Sequence, residues 1–110
     1  MRRLIQILLL VSPLTALADP ATERAWKAKC ASCHGADGKG QTDQGKKMAV
    51  ADMTTAAWQK ELTDEKIKAA INDGVKREKG GVKQEMDGYK AKLQPAQVDA
   101  LTAYIRTLKK

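Results

Sequence analysis

The sequence predicts an all-α fold of about three to five short helices joined by long loops. Three observations carry this expectation. Apolar residues recur at helical spacing in at least two segments, no run alternates convincingly with a period of two, and the stretches between are rich in Gly, Lys, Asp and Thr. The first helix spans Ala21 to Lys29, with Trp26 on its apolar side. Gly35 to Thr55 reads as a long loop. A helix follows from Thr63 to Asp73: Thr63 is a suitable N-cap, Asp64 and Glu65 suit the positive end of the helix dipole, Ile67, Ala70 and Ile71 share a face, and Gly74 ends it. Lys76 to Lys92 again reads as loop, with Gly80-Gly81 as a flexible turn. Pro95 opens the last helix at the position where a missing N–H costs least. Val98, Leu101, Tyr104, Ile105 and Leu108 form its apolar stripe.

The chain has 110 residues, enough for one domain. Residues 1–18 have the pattern of a secretory signal peptide. Arg2 and Arg3 give a positive start, Leu4 to Val11 is apolar except for Gln6, and Ala16-Leu17-Ala18 supplies the small residues that precede cleavage. The apolar run is too short to be a membrane span of about 20 residues, and Pro13 interrupts its end. The mature domain is therefore expected at residues 19–110, in the periplasm and without stable membrane insertion. Such a small domain rarely buries enough apolar surface by itself. This one has no Phe and only Trp26, Trp58, Tyr89 and Tyr104 as aromatics. A large apolar cofactor would complete its core.

The formal net charge is +7, of which Arg2 and Arg3 carry two. Lysines are spread along the chain, which fits either ordinary solubility or a cationic face that steers acidic partners. The sequence contains no nucleic-acid-binding motif, and export argues against such a partner.

Two cysteines in an exported chain would ordinarily suggest a disulfide. Here Cys30 and Cys33 enclose two residues and are followed at once by His34, the spacing of covalent haem attachment. The two thiols can add to vinyl groups on neighbouring pyrroles, and the next side chain can then reach the iron from one face. A redox-active dithiol would need a βαβ context that is not seen. A structural zinc site needs four ligands, whereas His34 is the sole histidine and the cysteines number two. The same count rules out a second histidine on the iron. Met48, Met53 and Met86, a less usual group such as lysine, or water remain for the other axial position, and methionine there raises the reduction potential.

With these residues in view, the chain resembles the small class I, monohaem cytochromes c of bacteria. Trp26 stands four residues before Cys30, where that family has an aromatic, although Thr22 replaces its more usual glycine. Cys33-His34-Gly35-Ala36-Asp37-Gly38-Lys39-Gly40 looks like the family's stretch after attachment, and Leu101-Thr102-Ala103-Tyr104-Ile105 like its C-terminal helix. The resemblance implies a cytochrome c fold around one haem c. Its N- and C-terminal helices would cross, bringing Trp26 to Leu101 and Tyr104. It also implies Met86 as the axial ligand opposite His34, because Met86, Tyr89 and Leu93 match the family's loop before the last helix. Met48 and Met53 are then apolar filler. The family's proline, whose carbonyl orients the axial histidine, has no counterpart between His34 and Met86. A carbonyl within Gly45 to Met48 is expected to take that role. Trp58 can either donate to a haem propionate or serve as packing.

The function implied is electron transport rather than catalysis: a monomer whose iron cycles between ferric and ferrous states. Lys27, Lys29, Lys39, Lys46, Lys47, Lys83 and Lys90 are candidates to guide docking to acidic redox proteins. The competing classes are an open-site haem enzyme or sensor and a subunit that feeds electrons into a larger redox complex.

Overall fold

The computed structural model describes residues 19–110. The expected signal peptide lies outside the described residues. Six helices and one hairpin follow in order: α1 (Pro20–Lys29), α2 (Ala31–His34), α3 (Asp43–Lys47), α4 (Ala56–Glu61), α5 (Asp64–Asp73), β1 (Val75–Lys79), β2 (Val82–Met86) and α6 (Pro95–Thr107).

The helices start where local chemistry can satisfy their first N–H groups. Asp19 accepts from the Ala21 backbone, Thr42 from Gly45, Thr55 from Trp58 and Thr63 from Lys66. At α6, Gln94 and Gln97 bond reciprocally to backbone N–H groups, a glutamine version of the capping box. Gly74 closes α5 at φ +75°, a conformation that L side chains disfavour.

The packed centre is Trp26, Ile67, Ile71, Leu93, Val98, Leu101 and Ile105. These come from α1, α5, the segment before α6 and α6 itself, so α1 and α5 both pack on the last helix. Trp26 and Tyr104 stand 5.5 Å apart between ring centroids, as the resemblance implied. Burying an aliphatic or aromatic side chain of this kind stabilises by about 1.5–3 kcal/mol before entropy is counted. Arg106 fastens the other side of α6. It donates to the carbonyls of Gln59 and Leu62 at 2.7 and 2.6 Å and pairs with Asp64.

Two sequence expectations need correction. Gly35 to Thr55 is not all loop, since α3 lies within it. Lys76 to Lys92 is not loop at its start: β1 and β2 form an antiparallel hairpin around Gly80-Gly81. Both glycines have positive φ, +57° and +79°, as a tight two-residue hairpin turn requires. Lys76 stands opposite Glu85 and Glu78 opposite Lys83. Opposite charges across the strands stabilise a polar hairpin that offers no apolar alternation to read. Burial in β2 nevertheless has a period of two: Val82, Gln84 and Met86 are sheltered, while Lys83 and Glu85 are exposed.

Candidate functional site

Cys30 ends α1 and begins α2, so the attachment pair sits on a single turn. The Cys33 and His34 amides both donate to the Cys30 carbonyl, at 3.3 and 3.0 Å. Both thiols are free and half-buried. Burial pushes the Cys30 thiol up to about 11, with Lys29 opposing and Cys33 adding to the shift. The same desolvation lowers the basicity of His34. Both groups are therefore neutral near pH 7, which leaves a lone pair on the imidazole.

Neighbouring side chains shape this turn. The Trp26 indole N–H donates to the Gly35 carbonyl at 3.1 Å, and its ring lies 5.9 Å from that of His34. Thr42 donates to the Cys33 carbonyl at 2.7 Å while accepting from Gly45, linking α3 to the turn. His34 Nδ1 is buried without a hydrogen-bond partner. The expected carbonyl from Gly45 to Met48 does not fill this role. The Gly45 carbonyl accepts from Val50, that of Lys46 from Ala49, and that of Met48 from Gln84. An unpartnered buried polar atom in an otherwise well-bonded turn is costly. It leaves unmade the orienting contact that the free ring nitrogen of a metal-ligating histidine ordinarily makes.

Met86 is at the end of β2 rather than in a loop. It is half-buried and faces the same way as Gln84. Gln84 Nε2 donates to the carbonyls of Met48 and Ala49 at 2.9 and 3.2 Å, and Arg77 Nε donates to Gln84 Oε1 at 2.7 Å. The sheltered face of β2 is thus tied to the end of α3, which itself packs on α2. Beyond Met86, the Tyr89 hydroxyl donates to the Lys29 carbonyl at 3.2 Å, beside Cys30. Tyr89 and Lys90 amides donate to the Ile71 and Asn72 carbonyls at the end of α5. Gly74 meets the Met86 carbonyl so closely that a Cβ there would collide with it. These contacts bring the neighbours of Met86 to both flanks of the attachment turn.

Met53 instead packs against the central cluster, consistent with filler, while Met48 caps α3. Trp58 also packs against the cluster. Lys27 pairs with Glu23, and Lys83 lies across from Glu78, so these two of the proposed basic residues have acidic neighbours. The buried Gln84, bonded to the carbonyls of Met48 and Ala49, is the contact near Met86 that the sequence does not reveal. A period-two reading of Val82, Gln84 and Met86, anchored on the Gly-Gly turn, could have found it.

A single-turn thiol pair with a neutral imidazole beside it fits covalent haem ligation, and the set sits in a small helical domain. That combination defines a haem-binding electron-transfer class. The cytochrome c family model matches residues 21–109, so the chain belongs to the cytochrome c family. Members bind haem c covalently, and Cys30 and Cys33 fit its attachment motif. The solved structure of the KustC0563 c-type cytochrome is similar at 32% identity and a TM-score of 0.68, covering 81% of this chain and 98% of that one. A solved tyrosine-to-phenylalanine mutant of that cytochrome is similar at 32% identity and a TM-score of 0.65, covering 80% and 98%. A search of curated protein sequences found no match.

Proposed function

We propose that this cytochrome is a periplasmic carrier of single electrons, with haem attached at Cys30 and Cys33 and with His34 and Met86 as axial ligands. The observation that carries the reading is the placement of Met86. It is half-buried on the sheltered face of a strand whose flanks are hydrogen-bonded to the segments bordering the attachment turn.

When bound, haem supplies a one-electron iron couple whose potential depends on its axial ligands and surroundings. The protein's part is to hold its ligands still. α2 fixes His34 relative to both thiols, and Trp26 and Thr42 hold the backbone of that turn. The hairpin gives Met86 a strand to sit on. Ligands on rigid elements are held more precisely than ligands on loops. Half-buried neighbours such as Tyr89 and Val82 limit access of water to the same region. Lys29, Lys46, Lys47 and Lys90 are exposed and provide positive charge around it, suited to brief docking with acidic redox proteins.

The ferric absorption spectrum tests this reading. The weak long-wavelength band of iron–thioether bonding is expected, together with slow, weak CO binding to the ferrous protein. A missing band with ready CO binding would instead identify an open-site enzyme or sensor.

A further inference from the structure

We propose that Gln84 is the positioning residue for the Met86 ligand, a side-chain latch that holds the thioether on the iron. This proposal rests on Met86 being the second axial ligand. Gln84 is 8% exposed on a hairpin whose other side chains are mostly exposed or half-buried. A glutamine buried to this degree must satisfy its amide, and here both ends are used. The N–H group spans two successive carbonyls, Met48 and Ala49, while the oxygen accepts from Arg77 on the facing strand.

The consequence follows from strand geometry. Side chains two residues apart in a strand share a face and lie about 7 Å apart. Gln84 therefore fixes the height and rotation of β2 against residues 48–49, and Met86 inherits both. A one-residue slip would turn Met86 to the opposite face. Ala49 is the one non-glycine residue with positive φ among the described residues, at +48°. The carbonyl that Gln84 grips thus belongs to a strained turn. Tyr89 and the end of α5 hold the chain after Met86. Among the described residues, the Gln84 hydrogen bonds are what hold the strand before it to the α3 side.

The test uses the holoprotein and exogenous imidazole, which competes with the thioether for the iron. Gln84→Leu keeps the side-chain bulk and removes both functions of the amide. Imidazole should bind the ferric variant about tenfold more tightly than wild type, corresponding to ~1.4 kcal/mol, whatever fall in unfolding temperature the lost hydrogen bonds bring by far-UV circular dichroism. A role confined to folding would lower the unfolding temperature and leave imidazole affinity unchanged; that result overturns the proposal. Arg77→Met removes only the contact that orients the amide and should shift affinity in the same direction by less. It carries the test if Gln84→Leu does not fold, and unchanged affinity there would likewise overturn the proposal. Met86→Ala separates the two claims. It should bind imidazole far more tightly than either variant. If its affinity matches wild type, the ligation reading itself fails, whereas a large Met86 effect with no Gln84 or Arg77 effect sinks the latch alone.

Discussion

The two halves of the proposed ligand site are built on opposite principles. On the His34 side, both thiols and the imidazole occupy five consecutive residues, and one helical turn sets their relative placement. On the Met86 side, position depends on contacts reaching across the chain: Gln84 to residues 48 and 49, Tyr89 to Lys29, and Tyr89 to the end of α5. The first half is a local motif that short-range sequence spacing specifies. The second is an assembly whose parts must fold before the ligand is in place. The attachment side should therefore be intolerant of direct substitution and indifferent to distant change. The methionine side should respond to residues that never touch the cofactor.

The largest expected effect breaks the local half. Replacing both Cys30 and Cys33 by Ala should abolish covalent haem attachment, and the chain should lose its cooperative folding. Haem retention on a denaturing gel and circular dichroism measure this; a folded, cofactor-free domain would show that haem is not needed to complete the core.

Gly74→Ala should strike the assembled half. Its Cβ would collide with the Met86 carbonyl, and its φ of +75° is unfavourable for alanine. A cost of about 1–3 kcal/mol is expected from backbone strain of this kind. It should be accompanied by a weaker iron–thioether band and unchanged covalent attachment. Loss of stability with a full-strength band would mean that α5 does not help to place Met86.

The same contrast explains what could be read from the sequence. Haem attachment was legible in Cys30, Cys33 and His34 because their chemistry depends on adjacent positions. The terminal helices were legible because apolar periodicity marks a buried face, whereas the Trp26–Tyr104 contact was implied by the family resemblance. The hairpin was missed because its exposed strands carry charge pairs, Lys76 with Glu85 and Glu78 with Lys83, in place of alternating apolar residues. Gly80-Gly81 was read as flexible when its positive φ angles make it a defined turn. The expected carbonyl partner for His34 is not found: the Gly45, Lys46 and Met48 carbonyls accept from Val50, Ala49 and Gln84, and His34 Nδ1 has no partner. Of these contacts, the one from Gln84 comes from 36 residues along the chain and leaves no local signature.

The smallest predicted effect concerns the surface around the two halves. If exposed lysines steer acidic partners, electron-transfer rates should fall as ionic strength rises, because screening weakens long-range attraction. Lys47→Glu should weaken the salt dependence more than Lys27→Glu, since Lys27 already faces Glu23 at 3.3 Å. Stopped-flow rates against salt measure both. A flat salt profile would remove the cationic face from the account.

The central claim is that a methionine carried by the hairpin completes a site begun by the attachment turn. A redox titration of wild type beside Met48→Ala, Met53→Ala and Met86→Ala tests it most directly. Axial methionine raises the potential of a haem. Wild type should show a reversible one-electron couple, Met86→Ala a clear fall in potential, and the other two variants near-wild-type values. A fall on replacing Met48 or Met53, with Met86→Ala unchanged, would contradict it.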